Sequence, residues 1–512
     1  MLSTTLRRTR TSRPARRPTP RRLAPSLSAL ARRLYRKGAP LVVLLAACGR
    51  AYAQQSWMGI YFNGTKIGYT RVDIAKATRA GKPAYRVRSL TVTKMALLGQ
   101  TVEQRIVMDQ WSNARWMPLT MDFSMDSAGH STSVLAVFGP KAVRCKVTSA
   151  GQVTTKIVPI PKGANLITDP TITLARAVKP GRKLRFHYLN PVALVIEAGT
   201  AEVLRREILS LGGVAYRTMV VRTSMPMGSM TYWQDLRGDM LKAEMVLGLT
   251  MLKETREEAL SIPDVKYAPP SDVAEAIAVK AEKPIDNPRA VRHLKLRMSS
   301  NSGFAAVTDA RQKVAVSHPE PTTTVAEIGI TAQDVDPSAA MKLADLRKNV
   351  PAQLKEYLRP TPYLQATDPS IKSTAKQVVG AETNSFWAVD RLRDWVHRNM
   401  TTRADIGVLR SSVDIYKERV GVCRDYAILY AALARAAGIP TRLATGLVYV
   451  NGAFYYHAWA ESYIGKWVDV DPTLPTAFVD ATHVKLAHGD VASMFAVAAV
   501  MGNLKAEVLE YN

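Results

Sequence analysis

Three residues in the last quarter of the chain, Cys423, His457 and Asp471, have types and spacing suited to nucleophilic catalysis. A cysteine attacks as its thiolate, so it needs a dipole or a neighbour that favours the ionised form. A histidine within hydrogen-bond reach takes the thiol proton, and a carboxylate behind it fixes the tautomer and stabilises the imidazolium. Asp469 shares strand parity with Asp471 and competes for that last role. Such a set attacks a carboxamide or peptide carbonyl and passes through an acyl-enzyme, without a metal or organic cofactor.

The elements that must position these groups are legible around them. Cys423 to Ala437 is rich in Ala and Leu, closes at Gly438 and is followed by Pro440, which predicts a helix. Cys423 then occupies the first turn, where unpaired N–H groups and the positive dipole end favour a thiolate and suit a developing oxyanion. Thr441 to Val450 reads as a strand, Asn451-Gly452 as a hairpin turn, and Ala453 to Ile464 as the returning strand. That strand puts Tyr455, His457, Trp459, Glu461 and Tyr463 on one face. Trp467 to Asp471 follows as a third strand, stopped by Pro472.

Register decides whether the acid meets the base. A two-residue loop at Gly465-Lys466 would pair Ala460 with Asp471 and turn the carboxylate away from His457. A three-residue loop or a bulge would pair Trp459 with Asp471, diagonal to His457 on the same face, and this second geometry is expected. Either aspartate can instead simply end a strand.

Three helices are expected ahead of the cysteine. Asp368 caps the first, with Pro369 in its first turn and Gly380 at its end; Val389, Leu392, Trp395 and Val396 share a face of the second; Ser411 and Asp414 form a capping box for the third. Ser338 to Leu358 is also helical in pattern, split by Pro351.

Further upstream, residues 54 to 262 alternate like successive strands, with a hairpin at Asn63-Gly64 and Arg256 to Leu260 closing the series. A β-rich domain, a curved sheet or half-barrel, is expected, with a binding or positioning use. His130 and His187 lack partners at metal-ligand spacing, and the Met225, Met227, Met230 cluster reads as core or loop cover. Residues 263 to 359 read as a linker with connecting strands and a helix, and His293 as a solvent-facing strand residue.

At 512 residues the chain holds two or three domains. Its net charge of +28 falls to +15, spread widely, once the thirteen Arg and Lys of residues 1 to 53 are set aside, so no nucleic-acid partner is expected. Those residues look like an export signal: an Arg-rich start, the apolar segment Ala39 to Cys48, and Ala51-Tyr52-Ala53 as a cleavage pattern. Leu45-Ala46-Ala47-Cys48 also resembles a lipobox, which would tether the protein to a membrane through a lipidated Cys48. Cleavage near Ala53 is the expectation, and the leader's length leaves room for a start at a later codon. Cys145 alternates within a strand pattern and reads as a core residue rather than a disulfide partner of Cys423.

Four blocks complete this reading. Gly421-Val422-Cys423-Arg424-Asp425-Tyr426-Ala427, Arg435-Ala436-Ala437-Gly438-Ile439-Pro440-Thr441-Arg442, His457-Ala458-Trp459-Ala460-Glu461 and Trp467-Val468-Asp469-Val470-Asp471-Pro472-Thr473 resemble, in order, the transglutaminase-like superfamily of papain-like thiol enzymes. The resemblance covers roughly residue 360 to the end and implies an α+β domain over 360 to 512 with nucleophile Cys423, base His457 and acid Asp471, not Asp469. Members of that family often carry an acid directly before the cysteine, where this chain has Val422. His483 and His488 lie outside the blocks and read as structural or surface residues. The resemblance implies an exported thiol enzyme, periplasmic or extracellular, acting on a protein or peptide substrate. Protease or amidase activity is favoured over cross-linking, since no Ca²⁺-loop pattern is visible. The alternative is a non-catalytic cell-envelope scaffold that keeps the fold.

Overall fold

The computed structural model describes residues 53–149, 151–168, 180–262, 272–301, 303–320, 323–348, 350–476 and 479–512. Of the expected leader over residues 1 to 53, all but Ala53 lies outside the described residues, Cys48 included. The class is mixed and strand-dominated, with 51% strand and 21% helix.

The first half builds one antiparallel sheet of fourteen strands. Strands follow sequence order from Gln152–Pro159 at one edge to Ala53–Phe62 in the middle. There the last strand, Leu249–Glu254, pairs with the first, and the order runs back to Lys183–Asn190 at the other edge. Adjacent hairpins account for this meander. Asn63 and Gly64, at φ 47° and 82°, make the left-handed pair that a two-residue hairpin requires. Arg256–Leu260 is a helix and not a closing strand, because Thr255 and Glu258 form a reciprocal capping box that starts one.

Residues 272 to 359 are built into the body of the protein. His293–Ser300, Gln312–Glu320 and Thr323–Thr331 form a four-stranded sheet closed by the C-terminal strand Lys505–Tyr511. Val279–Lys280 adds a short edge beside Ala453 and Phe454. The helical pattern of Ser338 to Leu358 resolves into a short α-helix, Leu343–Lys348, between two 3₁₀ segments.

The expected helices follow: α1 (Pro369–Val379), α2 (Ser385–Asn399), α3 (Ser412–Glu418) and α4 (Cys423–Ala436). Their caps are as read, with Asp368 accepting from Ser370 N–H and Ser411 pairing reciprocally with Asp414. Helix α4 is buried on every side from Asp425 to Arg435. The other three pack along it, and the strands β1 (Thr441–Val450) and β2 (Ala453–Tyr463) cover it from the opposite side. Small alanines let that helix sit at the centre of the main hydrophobic core, which also takes in Val143, Cys145 and Val147 of the large sheet.

Candidate active site

Cys423 begins α4 and is half-buried. Val422, ahead of it, has no polar side chain to cap the helix, so Asp425 accepts from the Val422 N–H at 3.0 Å instead. Asp425 is fully buried, with Arg410 at 3.4 Å, itself 1% exposed. Gly421 must stay small, since a Cβ there would lie 2.6 Å from the Cβ of Asp425. Together these contacts fix the helix start, and with it the direction of the thiol.

His457 and Asp471 meet on the neighbouring strands. Strand β3 (Trp467–Val470) pairs with β2 so that Val470 faces Ala460 and Asp469 faces Glu461. Continued by one residue, that ladder sets Asp471 opposite Trp459, the register of the three-residue loop. Asp471 Oδ2 lies 2.7 Å from His457 Nε2, which leaves Nδ1 for the sulfur. Thr473 donates to the other carboxylate oxygen through its N–H at 2.8 Å and its hydroxyl at 2.7 Å.

The electrostatics favour a thiolate–imidazolium pair. Burial opposes ionisation of Cys423, but the charge of His457, a hydrogen bond from its ring and the Ala458 N–H outweigh burial and hold the thiol below its ordinary value. Burial likewise disfavours the imidazolium, yet Asp471 and Cys423 push His457 up to about 10. Asp471 pays a desolvation cost as well, and the two histidines bonded to it still hold its carboxyl well below the usual range.

Asp469, the competing acid, is engaged elsewhere. It accepts from Trp459 Nε1 at 2.7 Å and lies 2.8 Å from the Lys485 ammonium. Lys485 is fully buried and also meets Glu461 at 2.6 Å and Asp309 at 2.8 Å. Its charge therefore occupies the centre of a three-carboxylate cluster that would otherwise attract a metal ion. Lys485 and His483 belong to one strand, β4 (His483–Gly489), paired with β1.

Two groups at the site escaped the reading of the sequence as site residues. His483, expected to be structural or surface, is wholly buried with Nε2 3.3 Å from Asp471 Oδ2 and its other nitrogen 3.4 Å from Asp480. Gly446 faces His457 across the ladder, and a Cβ on it would lie 1.9 Å from the Val484 carbonyl oxygen, so a side chain there would push β4 away from β1. The sole sequence signal for His483 was its position after Asp480, and that spacing is common in unrelated loops. His130 pairs with Glu418 at 3.2 Å, away from the site.

The large sheet reaches the site through the loop between α2 and α3. Gln104 donates to the Gly407 carbonyl at 2.8 Å, Thr132 to that of Leu409 at 2.9 Å, and Gln100 accepts from Ala404 N–H at 2.9 Å. From the other side Arg424 donates to Val408 O at 2.8 Å. The loop is thus clamped between the sheet and the residue that follows Cys423.

A thiol at a helix start thus lies beside a histidine and an aspartate carried by the neighbouring antiparallel strands. Residues 372–472 match the core of the transglutaminase-like superfamily. An uncharacterized protein of Haemophilus influenzae is 31% identical over 157 residues, which cover 25% of this chain and 41% of that one, so the match spans less than half of that relative. Among solved structures, a "putative cysteine protease" from Cytophaga hutchinsonii is similar over 43% of this chain and 89% of its own, at 20% identity and a TM-score of 0.31. A β-barrel-like protein of unknown function from Brucella abortus is similar over 40% of this chain and 94% of its own, at 12% identity and a TM-score of 0.30.

Proposed function

We propose that this chain is an exported thiol hydrolase that cleaves an amide or peptide bond with Cys423 as nucleophile, His457 as acid and base, and Asp471 as the group that orients and charges the imidazole. The observation that carries this reading is that His457 bonds Asp471 on one side, at 2.7 Å, and the Cys423 sulfur on the other.

In the first half-reaction the thiolate adds to the carbonyl carbon, and the oxygen takes up negative charge beside the first-turn N–H groups of α4. The C–N bond then breaks, the imidazolium gives its proton to the departing amine, and a thioester remains. Water attacks the thioester next. His457 takes one proton from it, the C–S bond breaks, and the carboxylic acid product leaves with the thiolate–imidazolium pair restored. Asp471 keeps its charge throughout.

Water as the acceptor is tested by running the reaction on a peptide amide in ¹⁸O water with a competing alkylamine. Label in the product carboxylate is expected; incorporation of the amine would make the protein a cross-linking enzyme. Loss of the cellular phenotype is expected for Cys423→Ala, whereas full rescue by that variant would favour the non-catalytic scaffold. Export belongs to the proposal through residues 1 to 53, with a periplasmic or extracellular site of action and a lipidated Cys48 as the alternative to cleavage near Ala53. Mass spectrometry of the mature N-terminus decides between those two.

A further inference from the structure

The thiol opens into a cavity of about 380 Å³ whose walls come from both halves of the molecule. Met125 and Met227 of the large-sheet region line one side, and Met494 and Phe495 of the C-terminal 3₁₀ segment Val491–Val500 line another. Met227, read from the sequence as core or loop cover, is 41% exposed and borders this space. Among the described residues that line the cavity none is acidic, and the Arg424 guanidinium is already bonded to Val408 O at 2.8 Å.

Two lining residues carry a buried polar atom without a partner among the described residues, Arg424 at Nε and Thr445 at its hydroxyl, and of these only the hydroxyl belongs to an uncharged side chain with no other bond to hold it. Thr445, 3% exposed on β1, lies opposite Ala458 and next to Gly446, the partner of His457. Among the described residues its buried hydroxyl has no hydrogen-bond partner, although the residue borders the cavity. A buried hydroxyl is normally bonded, and leaving it unpaired is costly. Pairing it through a ligand would make that hydroxyl a selector, since in a mostly apolar pocket a few polar groups fix orientation and the walls supply affinity.

Resting on the assignment of Cys423 as nucleophile, we propose that this cavity binds a peptide whose residue on the acyl side of the scissile amide carries an apolar aliphatic side chain, with the Thr445 hydroxyl bonded to that peptide's backbone. The methionines accept such a side chain because they are flexible and polarisable. An ammonium entering the same walls would lose its hydration with nothing to replace it, and a carboxylate would find only the Arg424 guanidinium, already shared with Val408 O at 2.8 Å and Asp425 at 3.4 Å. A glutamine side chain would bury an amide with one hydroxyl to satisfy it. The preference therefore runs from leucine and methionine down to glutamine and then glutamate. The large sheet contributes to it directly, by walling the site.

The test uses the full chain and three peptidyl vinyl sulfones that differ in one residue, leucine, glutamine or glutamate, next to the warhead. The rate of adduct formation on Cys423 is read by mass spectrometry, beside the rate with iodoacetamide. The leucine probe is expected to react about thirtyfold faster than the glutamate probe. Thr445→Val, which keeps the shape and removes the hydroxyl, is expected to lower the ratio of the leucine-probe rate to the iodoacetamide rate about tenfold. Thr445→Ser should restore that ratio. Equal rates for the leucine and glutamate probes, with Cys423 still alkylated selectively by iodoacetamide, would overturn the cavity assignment and leave the nucleophile standing. Failure of iodoacetamide to select Cys423 would overturn both. A fall in probe and iodoacetamide rates by the same factor in Thr445→Val, not repaired by serine, would make Thr445 structural and remove it from recognition.

Discussion

The Ala142–Ser149 strand of the large sheet and the start of α4 each remove a cysteine from water, and they do opposite things to it. Cys145 is wholly buried among Val143, Val147 and their neighbours, and burial pushes its thiol up to about 11 against a weak opposing pull from Lys156, its cross-strand partner. Cys423 also suffers burial, but His457 and the Ala458 N–H reverse the sign. Cys423 is half-buried and Cys145 wholly so, but exposure alone would not hold a thiol down: the preorganised charge and donors beside Cys423 do that, and Cys145 has none comparable.

The strongest way to break this comparison is to disable the partners of Cys423 and leave the thiol. Asp471→Asn keeps the shape of the site but removes the charge that holds the imidazolium, and hydrolysis should fall by about 10⁴-fold, as measured by initial rates on a peptide amide. Asp469→Asn should instead act through stability, because Asp469 bonds Trp459 and Lys485 and does not touch His457. If both variants lost activity equally with unchanged melting, the division of labour between the two aspartates would fail.

Next in size, His457→Ala should slow alkylation of Cys423 at pH 7 by roughly 10²-fold or more while Cys145 stays as it was, read by peptide mass spectrometry with limiting iodoacetamide. Convergence of the two cysteine rates in the parent protein would end the comparison outright.

Third, Lys485→Met leaves Glu461 and Asp469 buried without their shared cation, and a loss of about 3–5 kcal/mol in urea unfolding is expected. Little change would mean that Arg442, 2.6 Å from Glu461, already balances the cluster.

The pH profiles sharpen the contrast further. Alkylation of Cys423 should persist below the ordinary thiol value of about 8.5, because its thiol is held down, whereas that of Cys145 should climb only toward pH 11. The raised value of His457 also carries a stability sign. Its folded value, about 10, exceeds the unfolded one of about 6.5, so its contribution is complete below about 6.5 and disappears as pH rises through 10. A melting temperature flat from pH 6 to 10.5 would contradict that coupling. The smallest effect is expected of Cys145→Val, which fills nearly the same space without a thiol. Activity should be unchanged and stability shifted by less than about 1.5 kcal/mol in a urea melt.

Local signals were enough for much of this site. The helix from Cys423 and the caps at Asp368 and Ser411 rest on contacts within a few residues, and each is where the pattern put it. The β2–β3 register was left between two loops by the residues themselves, and was expected to follow the three-residue one; that is the ladder found. His483 and Lys485 were missed because their partners are remote in sequence or unremarkable in spacing. Asp309 is 176 residues from Lys485, and no periodicity links the two. The helix at Arg256–Leu260 was misread because strand expectation overrode a capping box that the sequence displayed.

The sequence by itself determined the helix that starts at Cys423 and the strand that carries His457, since helix ends and hairpins are governed by neighbouring residues. Only the tertiary structure showed that Asp471 meets His457, what neutralises Asp469, and that a sheet about 300 residues upstream braces and walls the site, as when Gln104 reaches across 303 residues to Gly407. The physical reason is one of range. Backbone propensities and caps act over a single turn, whereas the pairing of a buried charge, and the shape of the cavity beside a thiol, are set by whichever distant segments the core brings into contact.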